Sequence, residues 1–297
     1  MARSAAEPSS YPSHAPRRRA RSTLAALVVG ACCGALAPLA PAAAQGVRLE
    51  LRPHTGDTVR IRLDQDVEVV ATRKVGGRDS VVTMRRHLTV HSRSIVRRTD
   101  ARGATVTAVT DSMLVREDDG RTVRAGFGGA SAQLLIGPDG TTRVLDDGGL
   151  MTPEASALVA QMPATLPDRQ VVPGATWSHA TAVPLPGQSD GPPAGRLTAT
   201  FRLDSLSRYG DLAYVSMRGT LERPRGGVTL PKGARYESAG TVTGSFQLDR
   251  RRGWLTDVRA TITMKSVVSQ AADGSEPVHV RTRVTQWLRA AAPVDKR

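Results

Sequence analysis

The feature that most limits the fold is an alternation of apolar and polar residues that runs along most of the chain. Val47, Leu49 and Leu51 alternate with polar neighbours, and Thr55-Gly56-Asp57 reads as a turn. Beyond it, Val59, Ile61, Leu63, Val67 and Val69 share one parity, while Arg60, Arg62, Asp64, Asp66 and Glu68 share the other. Successive strand side chains point to opposite faces, so this pattern predicts a strand with one buried and one wet side. Val82, Met84, Leu88, Val90 and Val96 continue it in a long second strand. Further strands are expected at 105–116, 132–136, 142–145, 177–183, 197–206, 212–221, 241–248, 254–268 and 278–288. Gly- and Pro-rich loops at 184–195 and 224–233 separate some of them.

One stretch, Met151 to Trp177, departs from period two. Thr152 suits a helix N-cap, Pro153 the first helical position, and Glu154 the positive helix end. Ala155, Leu158, Val159 and Met162 fall on one helical stripe, and Pro163 stops it. A helix over 152–162 is therefore expected. Leu166-Pro167 and Val171-Val172-Pro173-Gly174 then turn the chain into a strand opened by Trp177, which is expected in the core. Strands of 10–15 residues exceed the usual ~5–6 and must twist and coil. The predicted fold class is mainly β: a strongly curved antiparallel sheet, or half-barrel, with one short helix against its concave face. Gly56-Asp57-Thr58-Val59 and Gly174-Ala175-Thr176-Trp177 open two similar halves, about 45–150 and 174–290. Trp177, Gly174, Pro167 and Gly56 are the structural landmarks of this scheme.

The N-terminus carries an address. Arg17-Arg18-Arg19-Ala20-Arg21, an apolar run from Leu24 to Leu39, and Pro41-Ala42-Ala43-Ala44-Gln45 have the order of a secretory signal peptide. Cleavage is expected between Ala44 and Gln45, giving a signal over 1–44, a single β-rich domain over 45–290 and a disordered tail over 291–297. The protein is then exported, to the periplasm or the medium. The alternative is a lipid anchor, because Val28-Val29-Gly30-Ala31-Cys32 resembles a lipobox with Cys32 as the acylated residue. Gly30, Gly34, Pro38 and Pro41 interrupt the apolar run, which is shorter than the ~20 residues a spanning helix needs. No transmembrane segment is expected in the mature chain. Both cysteines, Cys32 and Cys33, lie in the signal, so the domain relies on its core alone.

The formal net charge is +14, and removal of residues 1–44 leaves 36 basic against 26 acidic residues, a net +10. Such a chain can meet anionic lipid or acidic polymers of the envelope. Only four lysines and no asparagine occur, so the basic balance is also what a GC-rich, arginine-coding genome produces. Nucleic-acid binding is not expected: Arg85-Arg86 and Arg97-Arg98 have no aromatic beside them, and Trp254 after Arg250-Arg251-Arg252 has core parity.

No catalytic, metal-binding or cofactor-binding residue is assigned, and no ligand-binding residue can be named. His87 and His91 are four residues apart on a strand, about 13 Å, too far to share one ion. HExxH, GxSxG and phosphate-loop patterns are missing. Asp64, Asp66 and Glu68 beside Arg60 and Arg62 read as a solvated face with cross-strand ion pairs. Arg60, Arg62, His87, His91, Arg93, Arg281 and Arg283 are expected on outward faces.

Gly56-Asp57-Thr58, and Leu166-Pro167 followed by Val171, Gly174 and Trp177, resemble a family of uncharacterised bacterial exported proteins. That family has a Gly-Asp-Thr turn and a Leu-Pro-x-x-x-Val-x-x-Gly-x-x-Trp segment. Ala175 stands where an acidic residue is more usual. The resemblance covers almost the whole mature chain and carries no catalytic residues. More distantly, the expected architecture resembles the half-barrel of lipoprotein-localisation carriers. These likenesses imply a non-enzymatic envelope protein that shelters an apolar or acyl ligand. The alternatives are a structural or interaction module whose basic face contacts anionic envelope polymers, and a hydrolase of unfamiliar type.

Overall fold

The computed structural model describes residues 46–124, 126, 128–146, 166–183, 195–222, 228–229, 234–270 and 276–291. Its strands are β1 (Thr58–Val75), β2 (Arg78–Asp100), β3 (Gly103–Glu117), β4 (Thr122–Arg124), β5 (Ser131–Ile136), β6 (Thr142–Asp146), β7 (Thr176–Val183), β8 (Gly195–Leu206), β9 (Leu212–Glu222), β10 (Val228–Thr229), β11 (Ala234–Asp249), β12 (Trp254–Gln270) and β13 (Val278–Ala290). The period-two segments from Val59 onward are therefore strands, most within three residues of the expected bounds, while β11 starts seven residues before the expected 241. The expected helix 152–162, the processing residues Ala44 and Gln45, and Cys32 lie outside the described residues. Among those residues no helix is long and apolar enough to cross a membrane.

All strands join one antiparallel sheet in the order β6-β5-β3-β2-β1-β13-β12-β11-β9-β8-β7, with β4 on β3 and β10 on β11. Each half of the chain is a meander. The two meet where β1 pairs with β13 over twelve residue pairs, from Ile61↔Ala290 to Thr72↔His279. The sheet is not closed: β6 and β7 end it.

Both halves start the same way. The Gly56 amide donates to Val96 O at 2.9 Å and the Val96 amide to Asp57 O at 2.9 Å. The Gly174 amide donates to Leu203 O at 2.6 Å and the Leu203 amide to Ala175 O at 3.0 Å. Each glycine thus ties its turn to the second strand of its half. Both have positive φ, 92° and 89°, with nothing near the position of an added Cβ, so backbone conformation rather than space requires glycine.

The register places Val59, Ile61, Leu63, Val67 and Val69 on the same face as Val90, Leu88, Leu288, Val284, Val258, Ile262, Phe246, Val215 and Leu203. This face is concave. β5 and β8 are eight steps apart, roughly 38 Å in a flat sheet at ~4.8 Å per strand. Yet Ile136 of β5 packs against the same cluster as Phe201 and Leu203 of β8, joined by Leu49, Leu51, Leu166 and Val171. Four side chains span that gap only if the sheet curls around them.

Residues 46–53 and 166–174 therefore plug one end of the curl. The Leu51 amide donates to Pro138 O at 2.8 Å, the Leu166 amide to Asp139 O at 2.6 Å, and Val47 forms an antiparallel bridge with Val171. The alternation of Val47, Leu49 and Leu51 reflects this burial and not a strand of the sheet. Pro167 is buried beside Leu166. At Gly253, φ +60°, an added Cβ would stand 2.4 Å from the Arg52 backbone, so the plug runs directly over the β11–β12 turn. A second cluster, Val96, Ala104, Val106 and Trp254, completes the packed end.

Candidate functional site: the concave trough

Toward the other end the concave face stays mainly apolar, with Thr282 and Ser266 among its residues and Arg86 beside Val67, and none of the described residues forms a plug over it. Val67, Val69, Ile262, Met264 and Val284 share the parity of the plugged residues, yet each is only half-buried. Phe201 and Leu203, in the plugged part, are 0% exposed. The difference follows the plug, which covers Phe201 and Leu203 but not these residues. Among the described residues this leaves a mainly apolar trough along β1, β13 and β12, with Thr282 between Val69 and Met264.

At the boundary between plug and trough, Gln65 faces Gln286 across the β1–β13 pair, with Leu88 and Ala260 on either side. Gln65 is 8% exposed. Farther along the same face, Ser238 Oγ is buried without a partner among the described residues, an uncommon state because each unmade bond costs about 1–3 kcal/mol. Period-two reasoning had no means of finding these groups. Gln65 does interrupt an otherwise apolar parity between Leu63 and Val67, and that is a visible signal.

The opposite, convex face is polar and charged. Arg60, Arg62, His91, Arg93, Arg281 and Arg283 are exposed on it and His87 half-exposed, as the parity argument expects. The carboxylates beside them are paired, mostly across strands. Arg85 contacts Glu68 at 2.8 Å, His87 Nδ1 contacts Asp66 at 2.7 Å, and Asp64 contacts Arg62 at 2.9 Å and Arg289 at 3.0 Å. Arg289 and Arg259 stand over the Trp287 ring at 3.8 and 4.4 Å, and the indole N–H donates to Asp257 at 2.8 Å. Two shallow hollows of about 470 and 450 Å³ dent the surface, one beside Asp66, Arg85 and His87, the other beside Arg60, His91 and Asp111. Both mix charges of either sign.

Asp66, His87 and Thr89 form a line that resembles a nucleophile triad in outline, with Thr89 Oγ1 3.3 Å from His87 Nε2. Thr89 is 8% exposed, however, and its hydroxyl donates to Asp64 at 3.0 Å. Its oxygen is neither accessible nor directed at a substrate position. His87 and His91 join no group of three metal-ligating side chains among the described residues.

Asp64 is the most heavily paired carboxylate. Burial pushes its carboxyl up, but hydrogen bonds from Arg62, Arg289 and Thr89 outweigh this and hold it below its ordinary value of 3.8. A depressed carboxylate stabilises the fold above its unfolded value, and that contribution disappears as pH falls through the folded one. Asp64→Asn should therefore be less stable than wild type at neutral pH, with the gap shrinking below about pH 4. Urea midpoints from neutral pH into acid measure it. A gap that persists unchanged in acid would contradict this role.

Trp177 is half-buried. It stacks on Phe201, with centroids 5.7 Å apart and planes at 12°, and packs against the main core. Its strand ends the sheet, so one side of the ring lacks the strand that would bury it.

The chain matches no protein-family model and no curated protein. Among solved structures it is similar to the translocator domain of the autotransporter NalP from Neisseria meningitidis. The identity is 12%, the match covers 79% of this chain and 89% of that one, and the TM-score is 0.17.

Proposed function

We propose that the protein is a non-enzymatic, exported envelope protein that shelters an apolar ligand, such as an acyl chain, in the trough of its curled sheet. The observation that carries this reading is that the apolar concave face extends beyond its plug. Ligand sites are commonly preformed, apolar and supplied with a few convergent polar groups. Val67, Val69, Ile262, Met264 and Val284 provide the apolar floor. Gln65 and Gln286 provide amides that can donate to a carboxyl or ester oxygen and accept from a hydroxyl.

Titration with a fluorescent fatty acid tests it. One saturable site is expected, equally occupied at low and high salt, because apolar burial is not screened by ions whereas exposed charge is screened over ~8 Å at physiological ionic strength. No saturable binding, or binding lost on adding salt alone, would contradict the proposal.

The convex side supports a second reading, an interaction module whose basic face contacts anionic envelope polymers. Arg60, Arg93, Arg281 and Arg283 are exposed there without ion pairs as close as those of Arg62 and Arg85. Binding of that kind would fall steeply with salt.

A further inference from the structure

The β1–β2 hairpin outruns the rest of the sheet. β3 follows β2 only as far as Arg86, opposite Glu117, and β13 follows β1 only to Thr72, opposite His279. Among the described strands, residues 73–80 pair only with one another, through Arg73↔Ser80, Lys74↔Asp79 and Val75↔Arg78. A two-stranded ribbon has no core in which to bury large apolar side chains. Val75 lies in this ribbon, and Val81, Val82 and Met84 lie at its base, where β2 is an edge that β3 no longer covers. Val75, Val81, Val82 and Met84 are 53, 59, 64 and 46% exposed. Val81 and Val82 are consecutive, so they point to opposite faces and no single packed surface buries both.

Charge surrounds these side chains. Arg73, Lys74 and Arg78 are exposed at the tip with Asp79 as the one acid of residues 73–80, while Arg85 and Arg86 at the base are paired with Glu68 and Glu117. Exposed apolar side chains ringed by cations are what the surface of an anionic bilayer recognises, through apolar burial at the acyl boundary and attraction to lipid phosphates. We propose that this ribbon, with the β2 edge at its base, is a membrane-docking finger, which buries Val75, Val81 and Val82 in the headgroup layer of an anionic bilayer while Arg73, Lys74 and Arg78 meet the phosphates. A protein groove would cover one face of a ribbon, whereas a bilayer surrounds both, as the Val81–Val82 pair requires. Val82 and Met84 have the parity of the trough floor and lie opposite Ala71 and Val69, so the finger joins the trough to the bilayer. Docking does not depend on the trough holding a ligand.

Vesicle sedimentation tests the finger on the purified full chain. Binding to vesicles of equal phosphatidylglycerol and phosphatidylcholine is expected, with at least about tenfold weaker binding to phosphatidylcholine alone. V81S/V82S and R73E/K74E should each weaken the first by about tenfold, the charge variant most at low salt. Thermal midpoints should not move, since the four positions are exposed. A Val81→Trp variant should shift its emission to the blue on adding the anionic vesicles. Wild-type binding by V81S/V82S, or no binding of wild type to anionic vesicles, would overturn the proposal. R73E/K74E should still take up a fluorescent fatty acid in solution as wild type does, which separates loss of the finger from failure of the trough.

Discussion

Phe201→Ala should lower stability by about 3–5 kcal/mol, the usual cost of deleting a buried aromatic ring. Phe201 is 0% exposed and central to the main cluster. Trp177 stacks on one face at 5.7 Å, and Phe246 meets it edge-on at 6.3 Å and 62°. These rings link the edge strand β7 to β8 and β11, and the loss should loosen that edge and expose Trp177 to solvent. Urea unfolding followed by tryptophan emission measures both effects. Tyr209→Ala, at a position 81% exposed, is the control and should leave the midpoint unchanged. A Phe201→Ala midpoint equal to wild type would mean that the core is not centred here.

Much of the fold was legible in the sequence because a strand with one wet face records its own orientation. The parity of Val59–Val69 and Val82–Val96 identified the concave side before any pairing was known. Gly56 and Gly174 marked equivalent turns because each needs positive φ at the start of its half. Other features were not legible, for definite physical reasons. An extended plug alternates just as a strand does, so Leu49 and Leu51 did not reveal that their segment has no sheet neighbours beyond one bridge. The β1–β13 pairing joins residues more than two hundred positions apart, and no local pattern encodes it. Trp177 looked like a core residue because it is large and opens a strand. Its half-burial depends on that strand being last in the sheet. The trough follows from where the plug ends, and nothing in Val67 or Val284 differs from a buried valine. The finger did leave a trace: Val81-Val82 breaks the alternation.

Val284→Asp should reduce uptake of a fluorescent fatty acid by roughly tenfold or more, equivalent to about 1.4 kcal/mol. Val284 lies in the middle of the floor between Val67 and Ile262. A carboxylate there would lose hydration under an acyl chain, and an unpaired buried charge costs far more than that threshold. Arg283 is its neighbour in sequence and faces the convex side. Arg283→Asp changes the charge in the same direction one residue away and should leave uptake unaltered. Equal losses in both variants would point to a general charge effect, and equal retention would place the ligand elsewhere.

The central claim is that the part of the concave face beyond the plug holds an apolar ligand. Native mass spectrometry of the protein purified from its own host, followed by organic extraction, tests it most directly. The account predicts a protein peak carrying one adduct, which organic solvent releases as an acyl-bearing molecule. A bare chain mass with nothing apolar in the extract would contradict it.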